Sequence, residues 1–181
     1  VKAGKAFIKV ESPGETKRLS KVISVTVKQS PLRILAIGNS FSQDAVEQYL
    51  YELLKAEGIE AIIGNMYIGG CSLETHWANA NGNQAKYSYR KIENGSKTTK
   101  ANTTLETALK DDKWDYISLQ QVSGKSGQYD TYKPYLSNLV NYVKGYATNK
   151  YMKLMLHQTW AYASYSNHTD FKNYGNDQMT M

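Results

Sequence analysis

The hydrophobic pattern of this chain changes period near residue 32. Before that point, residues 5–28 alternate in the manner of two half-buried strands: Ala6, Ile8 and Val10 in the first, then Val22, Ser24 and Thr26 opposing Ile23, Val25 and Val27 in the second. Ser12-Pro13-Gly14 marks the turn between them. Beyond it the pattern becomes strand, turn, helix. Leu32 to Ile37 is a short, nearly continuous apolar run, as expected of a central parallel strand covered on both faces. It ends at Gly38-Asn39-Ser40-Phe41-Ser42. A helix is predicted from about Asp44, with Val46, Tyr49, Leu50, Leu53 and Leu54 on one stripe and Gly58 as its stop.

The same alternation of elements continues. Ile59 to Ile63 supplies a second strand leading into Tyr67-Ile68-Gly69-Gly70-Cys71-Ser72. Residues 78–104 are rich in Asn, Lys, Thr and Tyr, and within them Tyr87–Ile92 and Ser96–Ala101 flank Glu93-Asn94-Gly95, which predicts an inserted surface hairpin. Leu105–Lys110 reads as a short helix, and Trp114–Leu119 as a third parallel strand ending at Gln120-Gln121. Pro134 opens another helix carrying Leu136, Leu139, Val140 and Val143. Lys153–Leu156 is the fourth strand, ending at His157. Strands alternating with helices predict an α/β fold built on a parallel sheet, with residues 1–30 as a separate hairpin and 31–181 as the main domain. The polar run from Tyr162 to Met181 has no capping signal, so the C-terminal part of the domain is expected to be missing.

Composition changes this picture little. With 41% apolar and 21% charged residues in 181, the chain is an ordinary folded one, and no run approaches the ~20 apolar residues of a membrane-spanning helix. The net charge of +6 hints at nucleic acid until it is divided along the sequence. Residues 1–33 hold eight basic and two acidic residues, whereas residues 34–181 hold 14 of each. The body is neutral, so no nucleic-acid partner is expected. A single cysteine, Cys71, excludes an internal disulfide.

Candidate chemistry gathers at the strand ends, where ligands of open parallel sheets bind. Gly38-Asn39-Ser40, Gly69-Gly70, Gln120-Gln121 and His157 together supply a hydroxyl, backbone donors, side-chain amides and an imidazole. That is the inventory of an acyl-transfer site. A serine hydroxyl needs a base to take its proton, and the oxyanion it creates needs fixed donors. Ser40 is the candidate nucleophile; the amides of Ser40 and Gly70, with Gln120 or Gln121, are the candidate oxyanion hole.

These residues carry a family resemblance. Gly38-Asn39-Ser40-Phe41-Ser42 resembles the first block of the SGNH/GDSL hydrolases, with Asn39 where Asp is common, and Tyr67–Leu73 resembles the second, whose glycine amide serves the oxyanion hole. More narrowly, Ile34–Ser42, Ser118–Ser123 and His157–Tyr162 look like an uncharacterised branch of that superfamily found in exported proteins of polysaccharide-degrading bacteria. The resemblance implies a three-layer α/β/α, flavodoxin-like domain. Residues 5–28 look like the closing hairpin of a bacterial immunoglobulin-like domain. Two departures stand out. Gln120-Gln121-Val122-Ser123 occupies the place of the third block without its Asn, and the fifth block, Asp-x-x-His, which supplies the base, is absent from residues 1–181.

The resemblance implies a metal-independent and cofactor-free serine esterase acting on an acylated poly- or oligosaccharide. It also implies export to the periplasm, cell surface or medium. The alternative is a glycan-binding module that kept the scaffold without the chemistry. Asn39, Trp77, His157 and Trp160 are the candidate substrate contacts. His157 is expected to be structural or substrate-contacting, since the family's base comes from another block. His76 and His168 are placed in polar surroundings with no ligand-spaced partner, so no metal site is expected. His168-Thr169-Asp170 reverses the family's order of acid and base and is not read as the dyad.

Overall fold

The computed structural model describes residues 4–11, 20–27 and 30–181, which fall into two compact units, 1–31 and 32–181. In the first, β1 (Gly4–Glu11) pairs antiparallel with β2 (Ser20–Val27), Ala6 opposite Val25 and Ile8 opposite Ile23. The predicted Ser12-Pro13-Gly14 turn lies outside the described residues. Phe7, Ile8 and Val10 of β1 and Val22, Ile23 and Val25 of β2 are all exposed.

The second unit is a six-stranded sheet between helical layers, in the order β6-β5-β4-β3-β7-β8. Strand β3 (Leu32–Gly38) runs parallel to β4 (Ala61–Tyr67) on one side and to β7 (Tyr116–Gln120) on the other, and β8 (Lys153–His157) continues the parallel set. Successive side chains of β3 serve opposite faces. Leu35 and Ile37 join the core under α3 (Leu73–Asn81), α4 (Leu105–Asp111) and α5 (Tyr135–Tyr146), while Ile34 and Ala36 pack with Val46, Ile63 and Ile92 on the other side. This three-layer α/β/α arrangement is the expected fold.

Three features depart from expectation. The hairpin β5 (Tyr87–Glu93) and β6 (Ser96–Thr103) is not a surface appendage, because β5 pairs antiparallel with β4 and extends the main sheet. Tyr87, Tyr89 and Ile92 are buried beneath it, an alternation that its polar neighbours hide. Strand β4 begins at Ala61 rather than Ile59 and continues past Ile63. Gly64 lets the Leu35 and Trp114 side chains pack against its bare Cα, and the buried Asn65 amide is satisfied by Glu47 and Ser42. Finally, the helix after β3 begins early. It runs from α1 (Ser40–Ser42) through a π-helical stretch, Gln43–Leu50, into α2 (Tyr51–Ala56). The wider turn rotates the predicted stripe, so that Val46, Leu50 and Leu54 face the core while Tyr49 and Leu53 are exposed.

Candidate active site

The chain leaves β3 on one side towards β4 and later returns to β3's other side as β7, so the sheet reverses direction of build between β3 and β7. Loops after the carboxyl ends of two such strands part and leave a crevice. A cavity of about 520 Å³ occupies this place, with Asn39, Ser40 and Phe41 from the loop after β3 and Val122 and Ser123 from the loop after β7. Gly70 completes it from the loop after β4, and Tyr162, His168 and Asp170 from the C-terminal segment.

Ser40 is exposed at the first helical position, and the groups around it are tied down. Asn39 is buried; its Oδ1 accepts from the Phe41 amide at 3.2 Å and its Nδ2 donates to the Cys71 carbonyl at 3.0 Å. The second bond needs an amide. An aspartate there would set a carboxylate oxygen against that carbonyl. Through Asn39 the Ser40 turn is fixed to the glycine loop, where Cys71 N bonds Ile68 O at 3.3 Å and Gly70 takes the positive φ of +62° at the third turn position. From below, Ser42 Oγ lies 2.8 Å from the Asn39 carbonyl and 3.0 Å from Asn65 Oδ1. Asn65 Nδ2 donates at 2.6 Å to Glu47, whose buried carboxylate is paired with Arg90 and Lys97.

The two glutamines play different parts. Gln121 is consumed by the loop: its Oε1 accepts from Leu73 N at 3.0 Å and Val122 N at 2.9 Å, and its Nε2 donates to Thr131. Gln120 is equally buried, yet neither atom of its amide has a hydrogen-bond partner among the described residues. Its Oε1 lies so close over Gly38 that a Cβ there would come within 2.4 Å.

Of the other sequence candidates, Trp77 packs against the core, and the Trp160 ring meets that of the cavity residue Phe41 at a tilt of 51°, with centroids 4.3 Å apart. His157 stands at the end of β8 in register with Gln120, and burial lowers its pKa. His76 is not in polar surroundings. It is fully buried, with Nδ1 3.0 Å from the Tyr87 hydroxyl and Nε2 unpartnered, and desolvation pulls its pKa down to about 3. No cluster able to hold a metal is present among the described residues.

Sequence reasoning missed the far wall of the cavity. A 3-10 segment, Thr169–Tyr174, docks on the loop after β7: Tyr174 Oη donates to Ser123 O at 2.8 Å and accepts from Gly127 N at 3.1 Å, while Asn173 bonds Gly124 O. Tyr162 Oη meets Ser123 Oγ at 2.7 Å, and its ring stacks on His168. His168 Nδ1 accepts from the Asp170 amide at 3.2 Å, so these two residues touch through backbone and ring. The available signal was Gly124 and Gly127, three apart just after a strand end, against which Asp170 and Tyr174 pack closely.

Residues 33–181 match the family described as "Domain of unknown function (DUF4886)". The crystal structure of a DUF4886 family protein from Bacteroides uniformis is similar at 58% identity and a TM-score of 0.81, over 83% of this chain and 58% of that one. The chain thus spans just over half the length of that relative. A proposed SGNH hydrolase from Slackia heliotrinireducens shares the fold at 21% identity and a TM-score of 0.52, over 83% of this chain and 68% of that one. No curated protein matches. With 149 of its residues matched, the chain belongs to the DUF4886 family.

Proposed function

We propose that this chain carries the nucleophile of an exported serine esterase of the SGNH/GDSL type, which removes acetyl or a similar small acyl group from an oligo- or polysaccharide. One observation carries this reading: Ser40 is exposed in a cavity at the switch point of a parallel sheet, with Gly70 in the same cavity and the turn beneath it locked by Asn39 and Ser42. The fold shared with the Slackia heliotrinireducens protein is consistent with it.

In this mechanism Ser40 Oγ attacks the ester carbonyl, and the amides of Ser40 and Gly70 receive the oxyanion. Gln120, whose buried amide has no partner among the described residues and lies over Gly38, is the third donor of this reading. Each such donor contributes about 3–4 kcal/mol to the transition state. The base passes the serine proton to the departing sugar oxygen, and water then releases the acyl group. His168 shares the cavity, but its Nδ1 accepts from the Asp170 amide, which leaves the ring proton of the neutral form on Nε2. On this reading His168 is a donor towards substrate and not the base.

Acetate release from an acetylated oligosaccharide by the full-length protein tests this. Ser40→Ala is expected to lower the rate by about 10³-fold or more; an unchanged rate would remove Ser40 from the chemistry. A second reading, glycan binding without turnover, is favoured by the burial of the Gln120 amide away from the cavity's solvent. Sugar binding without release of acetate would select it.

A further inference from the structure

The space at Ser40 continues past Gly70. A second cavity of about 350 Å³ shares Gly70, Val122 and Asp170 with the first, so the two adjoin along those residues. Their linings differ. The first holds the rings of Phe41, Tyr162 and His168, whereas the second has no aromatic side chain and is faced by Ser72, Lys125, Gln128 and Asn173.

Asp170 stands at the junction. Its side chain rests on the bare Cα of Gly124, where a Cβ would come within 2.3 Å of Oδ2. Its carboxylate has no hydrogen bond or ion pair among the described residues. Lys125, the cation of the second cavity, is paired with Glu74 at 3.2 Å and so does not neutralise it. A carboxylate held in place and left unsatisfied accepts hydrogen bonds and repels like charge.

We infer that the second cavity seats a neutral, polyhydroxylated group, and that Asp170 selects it by accepting hydroxyl hydrogens and turning away anionic sugars. On the esterase reading, on which the placement next to the ester rests, that group is the sugar residue bearing or adjoining the acyl group. Aromatic stacking in the first cavity and hydroxyl capture in the second would then fix the two ends of one substrate about Ser40.

Calorimetric titration of the full-length protein carrying Ser40→Ala, which holds substrate without turnover, tests this with two probes. An acetylated xylo-oligosaccharide is neutral, and an acetylated oligogalacturonide is anionic. The neutral probe is expected to bind at least tenfold more tightly. Adding Asp170→Asn, a substitution of the same shape, should weaken the neutral probe by about tenfold, the contribution of a hydrogen bond to a charged group, and narrow the preference. Gly124→Ala should act in the same direction by displacing the carboxylate. Equal binding of both probes, binding of neither, or a preference untouched by both substitutions would overturn the inference. Hydrolysis of p-nitrophenyl acetate by the protein with Ser40 intact is measured separately. If it is absent while the binding pattern holds, the esterase reading fails and the binding site stands.

Discussion

The two walls of the cavity are built in different ways. The wall that carries Ser40, Gly38 to Ser42, is a strand-to-helix turn stiffened from within two or three residues by the Asn39 and Ser42 side chains, then pinned to Cys71 and Asn65. The opposite wall exists only where Tyr162, Asn173 and Tyr174 meet residues 123–127, some 39 to 51 positions earlier in the chain. The first wall is a property of the βα unit and the core beneath it. The second is a docked segment held by hydroxyls and by two glycines that allow close approach. Segments of the second kind open at a lower free energy than the core they rest on. A cavity made from one of each has a fixed Ser40 side and an opposite wall that can yield.

The largest effect expected from breaking this contrast lies under the nucleophile. In Gly38→Ala the new Cβ would fall 2.4 Å from Gln120 Oε1 and 2.8 Å from Ser42 Oγ, both buried and confined. Overpacking of this kind costs about 1–3 kcal/mol, and urea unfolding should show it together with reduced acetate release. A loss below about 0.5 kcal/mol would mean that the turn is softer than its hydrogen bonds suggest.

Next in size is the far wall. Tyr174→Phe removes the hydroxyl that joins Ser123 O and Gly127 N, leaving two backbone groups to find other partners, at a cost of about 1–2 kcal/mol. Hydrogen exchange should accelerate roughly tenfold over residues 162–174 and hardly change in β3. Uniform acceleration through both regions would show that the two walls open as one unit, against the distinction drawn above.

The same contrast governs what was legible in the sequence. The parallel strands and the α5 stripe announced themselves by apolar runs, and Leu139 and Val143 are buried as their spacing required. The hairpin turn was also plain, since Asn94 and Gly95 both take positive φ. Its place in the sheet was not, because β6 is exposed along nearly its whole length and reads as surface. The nucleophile side is visible as a local motif, Gly38 to Ser42 with Gly69-Gly70. His168 and Asp170 were out of reach as cavity residues because no local pattern encodes a partner about 40 residues away. Gln120 and Gln121 are adjacent and chemically identical, so only their hydrogen bonds tell them apart.

The smallest effect is read by pH. His76 follows the glycine loop on α3 and is fully buried beside the Tyr87 hydroxyl. Desolvation holds the His76 pKa at about 3 in the folded protein, against about 6.5 in the unfolded chain. Between those values the unfolded state binds the proton and the folded state does not. Stability therefore rises with pH across this window and is lost as pH falls below about 6.5. From pH 6.5 to 5.5 the loss is about 1 kcal/mol, measurable by urea unfolding at the two values. His157, whose pKa is also lowered by burial, adds in the same sense. His76→Gln keeps a polar group beside the Tyr87 hydroxyl but takes up no proton, so it should flatten most of this dependence whatever it does to stability at neutral pH. If the slope survives His76→Gln unchanged, the acid sensitivity lies elsewhere and His76 is less sealed than its burial implies.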